Sequence, residues 1–161
     1  MPLSMHSVAA LPCALALVLT ACGGVTPASR VQEAAQDLNT AARFGRMDVA
    51  LERVGKNGRE DFVRHHLGWG KAVRIVDYEF QGLALRDKEH ADVFLTVGWQ
   101  RPEEGEVRGT SVTQHWKDHR GNWLLESEER TSGDVGLLGE TIVVVRPPPR
   151  ADVQFQSVTI R

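Results

Sequence analysis

Three polar side chains in the middle of the sequence have the chemistry of an acid–base site. Tyr78, Arg108 and Glu129 each fall on the otherwise apolar side of a predicted β-strand. A glutamate in dry surroundings has a raised pKa and serves as a general base, whereas a glutamate beside an arginine forms a salt bridge. The salt bridge is favoured, because Arg and Glu on neighbouring strands commonly pair without a catalytic role. With Trp99 and Thr110 these three residues form a candidate ligand mouth, and no residue is assigned as catalytic.

Other residue types argue against several reaction classes. His65 and His66 are adjacent, so on a helix their side chains diverge by about 100° and do not chelate one ion together. No spacing of His, Cys, Asp or Glu matches a zinc or iron site, so no metal is expected. The sequence also lacks the Gly-x-Ser-x-Gly elbow and the Gly-rich phosphate loop. We therefore expect no cofactor, and an enzyme is the less favoured class of protein.

Strands of alternating polarity must position the candidate mouth. Between His90 and Thr131 three consecutive runs have the two-residue period of half-buried strands. The run that precedes them, residues 73–86, changes its apolar parity next to Gly82, which predicts a β-bulge. One face of the second strand is entirely apolar and consists of Ala91, Val93, Leu95, Val97 and Trp99. The sequence therefore predicts an antiparallel meander with one buried face.

Two tryptophans suggest the register of the last hairpin. With a turn at residues 118–121, Trp116 lies opposite Trp123. Continuing the alternation along the last strand places Glu129 inward. The inner face is then apolar at the tryptophan end and polar at the other, which predicts an open mouth there.

Helical periodicity precedes the sheet. Apolar residues recur at three- and four-residue spacing after a start near Thr26-Pro27 or Ser29, and Gly45 ends this stripe. Shorter predicted helices cover residues 48–54 and 57–67. Each helix has one apolar stripe to bury, so we expect the helices to cover one face of the sheet.

The first 21 residues contain no Lys, Arg, Asp or Glu. Their apolar run, residues 8–21, has 14 residues, whereas a helix needs about 20 to span a membrane, so the run fits the core of a signal peptide. It ends in Leu19-Thr20-Ala21-Cys22. This resembles the lipobox of bacterial lipoproteins, whose cysteine is acylated and becomes the new N-terminus. The alternative is a signal peptide cut elsewhere, with Cys22 an ordinary thiol.

The lipobox resemblance implies a domain organisation and a location. Residues 1–21 are then a signal peptide, 22–28 a lipidated cysteine and tether, 29–139 an α+β domain, and 140–161 a β extension interrupted by three prolines. Several acyl chains, palmitate among them, give stable anchoring. The expected location is the bacterial cell envelope, periplasm-facing or surface-exposed, with the outer membrane favoured.

The charge balance argues against a nucleic-acid partner. The chain of 161 residues has 19 Lys and Arg against 21 Asp and Glu. These charges are interspersed, whereas a nucleic-acid binder normally has a basic stripe.

Helices followed by a bent antiparallel sheet that includes the hairpin QHWKDHRGNWLL resemble the nuclear transport factor 2-like superfamily. The resemblance covers residues 29–131 and implies an α+β fold in which a curved sheet wraps three helices into a cone with one open end. A cystatin-like or lipocalin-like sheet is the alternative. The superfamily includes ketosteroid isomerases, scytalone dehydratases and polyketide cyclases, but it has no single motif by which a catalytic residue could be transferred to this chain.

Three functions follow from these features. The first is a membrane-anchored, non-enzymatic envelope lipoprotein that binds a small apolar ligand or a protein partner. The second is an isomerase or dehydratase with Glu129 or Tyr78 as its acid or base. The third is a structural or assembly factor whose C-terminal strand pairs with the sheet of a partner.

Overall fold

A computed structural model describes residues 25–142, in which three α-helices precede a four-stranded antiparallel sheet. The helices are α1 (Pro27–Arg43), α2 (Met47–Glu52) and α3 (Arg59–His66), with a 3₁₀ turn at Lys56–Gly58 before α3. The strands are β1 (Arg74–Leu85), β2 (His90–Gln100), β3 (Val107–His119) and β4 (Asn122–Gly133), hydrogen-bonded in the order β1-β2-β3-β4.

The predicted stripe of α1 is confirmed. The Thr26 hydroxyl caps the helix by accepting a hydrogen bond from the Ser29 N–H at 3.1 Å. Gly45 follows the helix with a φ of 71°, in the left-handed region that glycine adopts most readily. The predicted stripe is buried in full and consists of Val31, Ala34, Ala35, Leu38, Ala41 and Ala42.

The buried face of β2 and the bulge in β1 are confirmed as well. All five apolar residues of the predicted β2 face are at most 4% exposed. The pairing of β1 with β2 shifts register between Phe80 and Gly82. A bulge at this point returns the apolar residues that follow to the inner face.

The predicted register of the last hairpin is wrong. His119 pairs with Asn122, so Trp116 lies opposite Leu125 and Trp123 lies opposite Asp118. The turn consists of two residues, Arg120 and Gly121, whose φ angles are 59° and 89°. Such two-residue turns match the twist of the strands that they join, which explains why the turn is shorter than the predicted 118–121.

The expectation of a nuclear transport factor 2-like cone is wrong. The described sheet is a four-stranded meander with β1 and β4 as its edges, and α2 and α3 have only six and eight residues. A lipocalin-like barrel would need about eight strands to close. The polar end of the inner face, predicted to be open, is covered by residues 134–140, in which Leu137 and Leu138 are buried.

Glu140 holds this covering segment in place. Its carboxylate accepts hydrogen bonds from the Gly136 and Leu138 N–H groups at 3.0 and 2.9 Å and from Arg130 Nε at 3.0 Å. Burial raises the pKa of Glu140, but backbone N–H groups, including those of Gly136 and Leu138, and Arg130 lower it overall. The segment is thereby tied back to β4.

The predicted signal peptide, the predicted lipidation site Cys22 and most of the C-terminal extension lie outside the described residues. None of the helices within residues 25–142 has the length and apolar character needed to cross a membrane.

Candidate functional site

Three of the five predicted mouth residues lie together in one cluster. Trp99 Nε1 donates to Thr110 Oγ1 at 2.8 Å, and the Thr110 hydroxyl donates to the Asp134 carbonyl at 2.8 Å. The Arg108 guanidinium stacks on the Trp99 ring, 5.4 Å from its centroid, and forms an ion pair with Glu104. Trp99 and Thr110 are completely buried. Their polar atoms are satisfied within the protein, so this end of the sheet is a closed core.

The other two mouth residues lie apart from this cluster. The Tyr78 hydroxyl is 2.9 Å from Thr40 Oγ1 of α1. The Glu129 side chain is 70% exposed on the outer face, where its Oε1 is 3.5 Å from His115 Nε2. The predicted pairing of Glu129 with Arg108 is therefore absent, and the structure does not bring Tyr78 and Glu129 together as an acid and base.

The inward carboxylate of β4 belongs to Glu128, whose side chain is only 4% exposed. The pairing of β3 with β4 shifts register where Trp116 faces Leu125 and His115 faces Ser127. This bulge reverses the alternation beyond Leu125, so Glu128 takes the inward position that strict alternation assigned to Glu129.

Glu128 and the side chains around it come from both the helices and the sheet. We call this group the Glu128 cluster, and it consists of Asn39, His65, His66, Gln114 and Glu128. Its Oε1 lies 3.3 Å from His66 Nδ1 and 3.6 Å from His65 Nδ1. Its Oε2 accepts from Gln114 Nε2 at 3.4 Å. Gln114 and Asn39 exchange two amide hydrogen bonds of 3.1 Å. The cluster thus links α1, β3 and β4 to α3.

The carboxylate changes the protonation of one histidine. Interaction with Glu128 raises the pKa of His65 above 6.5, although burial of the ring acts in the opposite direction. A protonated His65 supplies a positive charge beside the buried carboxylate.

His66 has a fixed orientation. Its Nδ1 is 2.8 Å from the Phe62 carbonyl, which only accepts hydrogen bonds, so Nδ1 carries a proton. Its ring stacks on Phe62 with centroids 3.9 Å apart and lies tilted against Trp69 at 4.2 Å. With Nδ1 engaged, Nε2 is the ring nitrogen left for other contacts.

An apolar cleft of about 240 Å³ adjoins this histidine. We call it the α2–α3 cleft. It is smaller than the roughly 300–1,000 Å³ of typical drug-sized sites. Its lining is mainly apolar and consists of Gly45, Met47, Leu51, Phe62, Val63, His66, Leu67, Trp69 and Lys71.

A second cleft, of about 230 Å³, lies on the other side of the cluster. His65 lines it together with Arg101 and Glu140. The two adjacent histidines therefore border different clefts while sharing Glu128. In the part of the chain that the structure describes, no group of three or more His, Cys, Asp or Glu side chains is placed to hold a metal ion.

Sequence reasoning missed His66 and Glu128. A usable signal for the histidine existed, because Phe62 and His66 are four residues apart and so share one helical face. No comparable signal existed for Glu128, because the bulge before it contains no glycine or proline.

Comparisons with known proteins bear on the fold alone. No family model and no curated protein matches the chain. The chain is similar to the solution structure of a SEC-C motif containing protein from Rhodopseudomonas palustris, at 14% sequence identity and a TM-score of 0.53. The likeness covers 67% of this chain and 80% of that one. It is a likeness of fold alone, and it gives no support to the cone or to its cystatin-like and lipocalin-like alternatives.

Proposed function

We propose that this chain is a bacterial envelope lipoprotein, held at a membrane by an acylated Cys22, whose folded domain binds a small apolar molecule without changing it chemically. The anchor rests on Leu19-Thr20-Ala21-Cys22 at the end of an uncharged apolar run. The outer membrane is the favoured location. The C-terminal extension has no part in this proposal.

The observation that carries the binding function is the α2–α3 cleft. Six of its nine lining residues are Met, Leu, Val, Phe or Trp, and apolar walls with few polar groups are typical of small-molecule sites. The predicted acid and base, Tyr78 and Glu129, bond to different partners on different faces. A binding protein is therefore favoured over an isomerase or dehydratase.

Mass spectrometry of the membrane fraction tests the anchor. The expected N-terminal peptide begins at Cys22 and carries acyl chains on sulfur and on the new amino terminus. A mature protein that begins elsewhere, with a free thiol at Cys22, would contradict the anchor.

A cleft-filling variant tests the binding. In nanodiscs that hold the full chain, ¹⁹F NMR is expected to show saturable binding of 4-fluoroanisole, with empty nanodiscs as the reference for partition into lipid. Val63→Trp fills the rim of the cleft and should abolish binding. Val49→Trp, on a part of α2 that lines a different depression, should retain it. Loss in both variants, or in neither, would count against the cleft. If a photoreactive residue in place of Val63 crosslinks to an envelope protein and the probe does not bind, a protein partner would be favoured.

A further inference from the structure

We propose that the α2–α3 cleft selects small aromatic alcohols of the phenol type, whose hydroxyl donates a hydrogen bond to Nε2 of His66. This inference rests on the proposed binding function and adds the chemical class of the ligand. It starts from the one imidazole in an otherwise mainly apolar lining.

The surroundings of His66 make Nε2 an acceptor. Nδ1 donates its proton to the Phe62 carbonyl at 2.8 Å and also faces Glu128 Oε1 at 3.3 Å. A neutral imidazole carries one ring proton, and here that proton is on Nδ1, so the lone pair lies on Nε2. A ligand hydroxyl complements this lone pair.

The same arrangement disfavours an anionic ligand. A carboxylate or phenolate at Nε2 would approach the charge of Glu128, which lies behind the ring at 3.3 Å from Nδ1. Either anion would also need a proton on Nε2, which the Nδ1–H tautomer lacks. A neutral hydroxyl meets neither obstacle.

The size and walls of the cleft favour one aromatic ring. A water-sized group occupies about 30 Å³. The cleft volume of about 240 Å³ therefore accommodates roughly eight non-hydrogen atoms. That number corresponds to one aromatic ring with its substituents. Phe62 and Trp69 supply aromatic rings and Met47 a thioether, and both kinds of group make favourable contacts with an aromatic ring. A sterol or a fatty acid is too large for this space.

Paired ligands test the hydrogen bond directly. ¹⁹F NMR titrations of the full chain in nanodiscs compare 4-fluorophenol with 4-fluoroanisole, which replaces the hydroxyl by a methyl ether. One net hydrogen bond predicts roughly fivefold tighter binding of the phenol. Equal binding of the two probes would overturn the phenol assignment and leave the proposed binding function intact. Absence of binding by both would overturn the binding function itself.

Two histidine variants locate the acceptor. His66→Phe keeps an aromatic ring between Phe62 and Trp69 and should bind both probes equally. His115→Phe changes a histidine of the outer face, which contacts Asp92 and Glu129 and lines neither cleft, and should keep the preference for the phenol. A preference that persists in His66→Phe would refute the role of Nε2. Where a variant does not fold, the probe pair on the unmodified chain decides the question.

Discussion

Glu128 is a carboxylate buried in the interior. A carboxylate removed from water is costly unless hydrogen bonds and an opposite charge compensate it. Gln114 Nε2 lies 3.4 Å from Oε2 of Glu128. The Nδ1 atoms of His66 and His65 lie 3.3 and 3.6 Å from its Oε1. The three contacts are long for hydrogen bonds, so the compensation increases when His65 is protonated.

Replacing Glu128 should change the titration of its neighbour. Glu128→Gln is expected to lower the pKa of His65, because the carboxylate is the largest cause of its rise. The stabilising contribution of this pair is fully present below pH 6.5 and is lost as the pH rises through the folded-state pKa. The difference in free energy of unfolding between the wild type and Glu128→Gln should therefore change across that window. NMR titration of the His65 ring measures the pKa.

Glu129→Gln is the matched control for that titration. Glu129 is the next residue, but it faces outward toward His115. Its replacement should leave the His65 titration unchanged. An unaltered His65 pKa in Glu128→Gln would show that the two side chains do not interact.

Thr110 offers a second test among the buried residues. Its hydroxyl accepts from Trp99 and donates to the Asp134 carbonyl, each at 2.8 Å. Thr110→Val leaves the buried Trp99 Nε1 without an acceptor and removes the bond to the Asp134 carbonyl, so it should reduce the free energy of unfolding by about 2 kcal/mol. Urea denaturation measures the loss. Thr110→Ser keeps the hydroxyl and should lose distinctly less, so equal losses in the two variants would contradict the assigned hydrogen bonds.

At the level of elements, the sequence was informative where a pattern was long or was marked by glycine. The stripe of α1 and the buried face of β2 repeat over several turns or residues, and Gly82 marks the bulge of β1. Strict periodicity failed in β4, because neither glycine nor proline marks the bulge that turns Glu128 inward.

The turn and the closing segment were harder to predict for different reasons. Arg120 has a φ of 59°, which is uncommon for a residue with a Cβ, so the sequence favoured a longer turn. Residues 134–140 have no periodicity, and their position depends on tertiary hydrogen bonds such as that from Trp69 Nε1 to the Leu137 carbonyl at 3.0 Å. The predicted open mouth failed because local sequence does not encode this cover.

The junction between the helices and β4 gives a prediction at this scale. Gly58 is buried, and a Cβ at this position would collide with the Glu126 backbone carbonyl. Its φ of −89° and ψ of −8° are open to any residue, so the cost of substitution is steric. Gly58→Ala should reduce the free energy of unfolding by about 1–3 kcal/mol. Thermal and urea denaturation measure it.

Gly109→Ala is the control for this steric effect. A Cβ on Gly109 meets no atom within 4 Å, so this variant should unfold at nearly the wild-type urea concentration. A loss in Gly109→Ala as large as that in Gly58→Ala would attribute the effect to glycine replacement in general.

At the scale of the whole molecule, the proposed tether and the cleft lie toward opposite ends of α1. Five Cα steps join Cys22 to Pro27, which allows a separation of at most roughly 17 Å. The cleft begins at Gly45, beyond the C-terminal end of this 17-residue helix, and such a helix is about 25 Å long. The proposed arrangement therefore separates the ligand site from the anchored end by about the length of α1.

Removal of the acylation site tests this arrangement. Cys22→Ser eliminates the proposed acylated sulfur, so the chain should move from the membrane fraction to the soluble fraction or remain as an uncleaved precursor. Immunoblots of carbonate-washed membranes, with the mass of the N-terminal peptide, distinguish these results. Cys13→Ser is the matched control, because Cys13 lies in the segment that cleavage would discard, and it should leave a membrane-bound, acylated chain. Retention of Cys22→Ser as a processed protein in washed membranes would mean that another part of the chain holds it there.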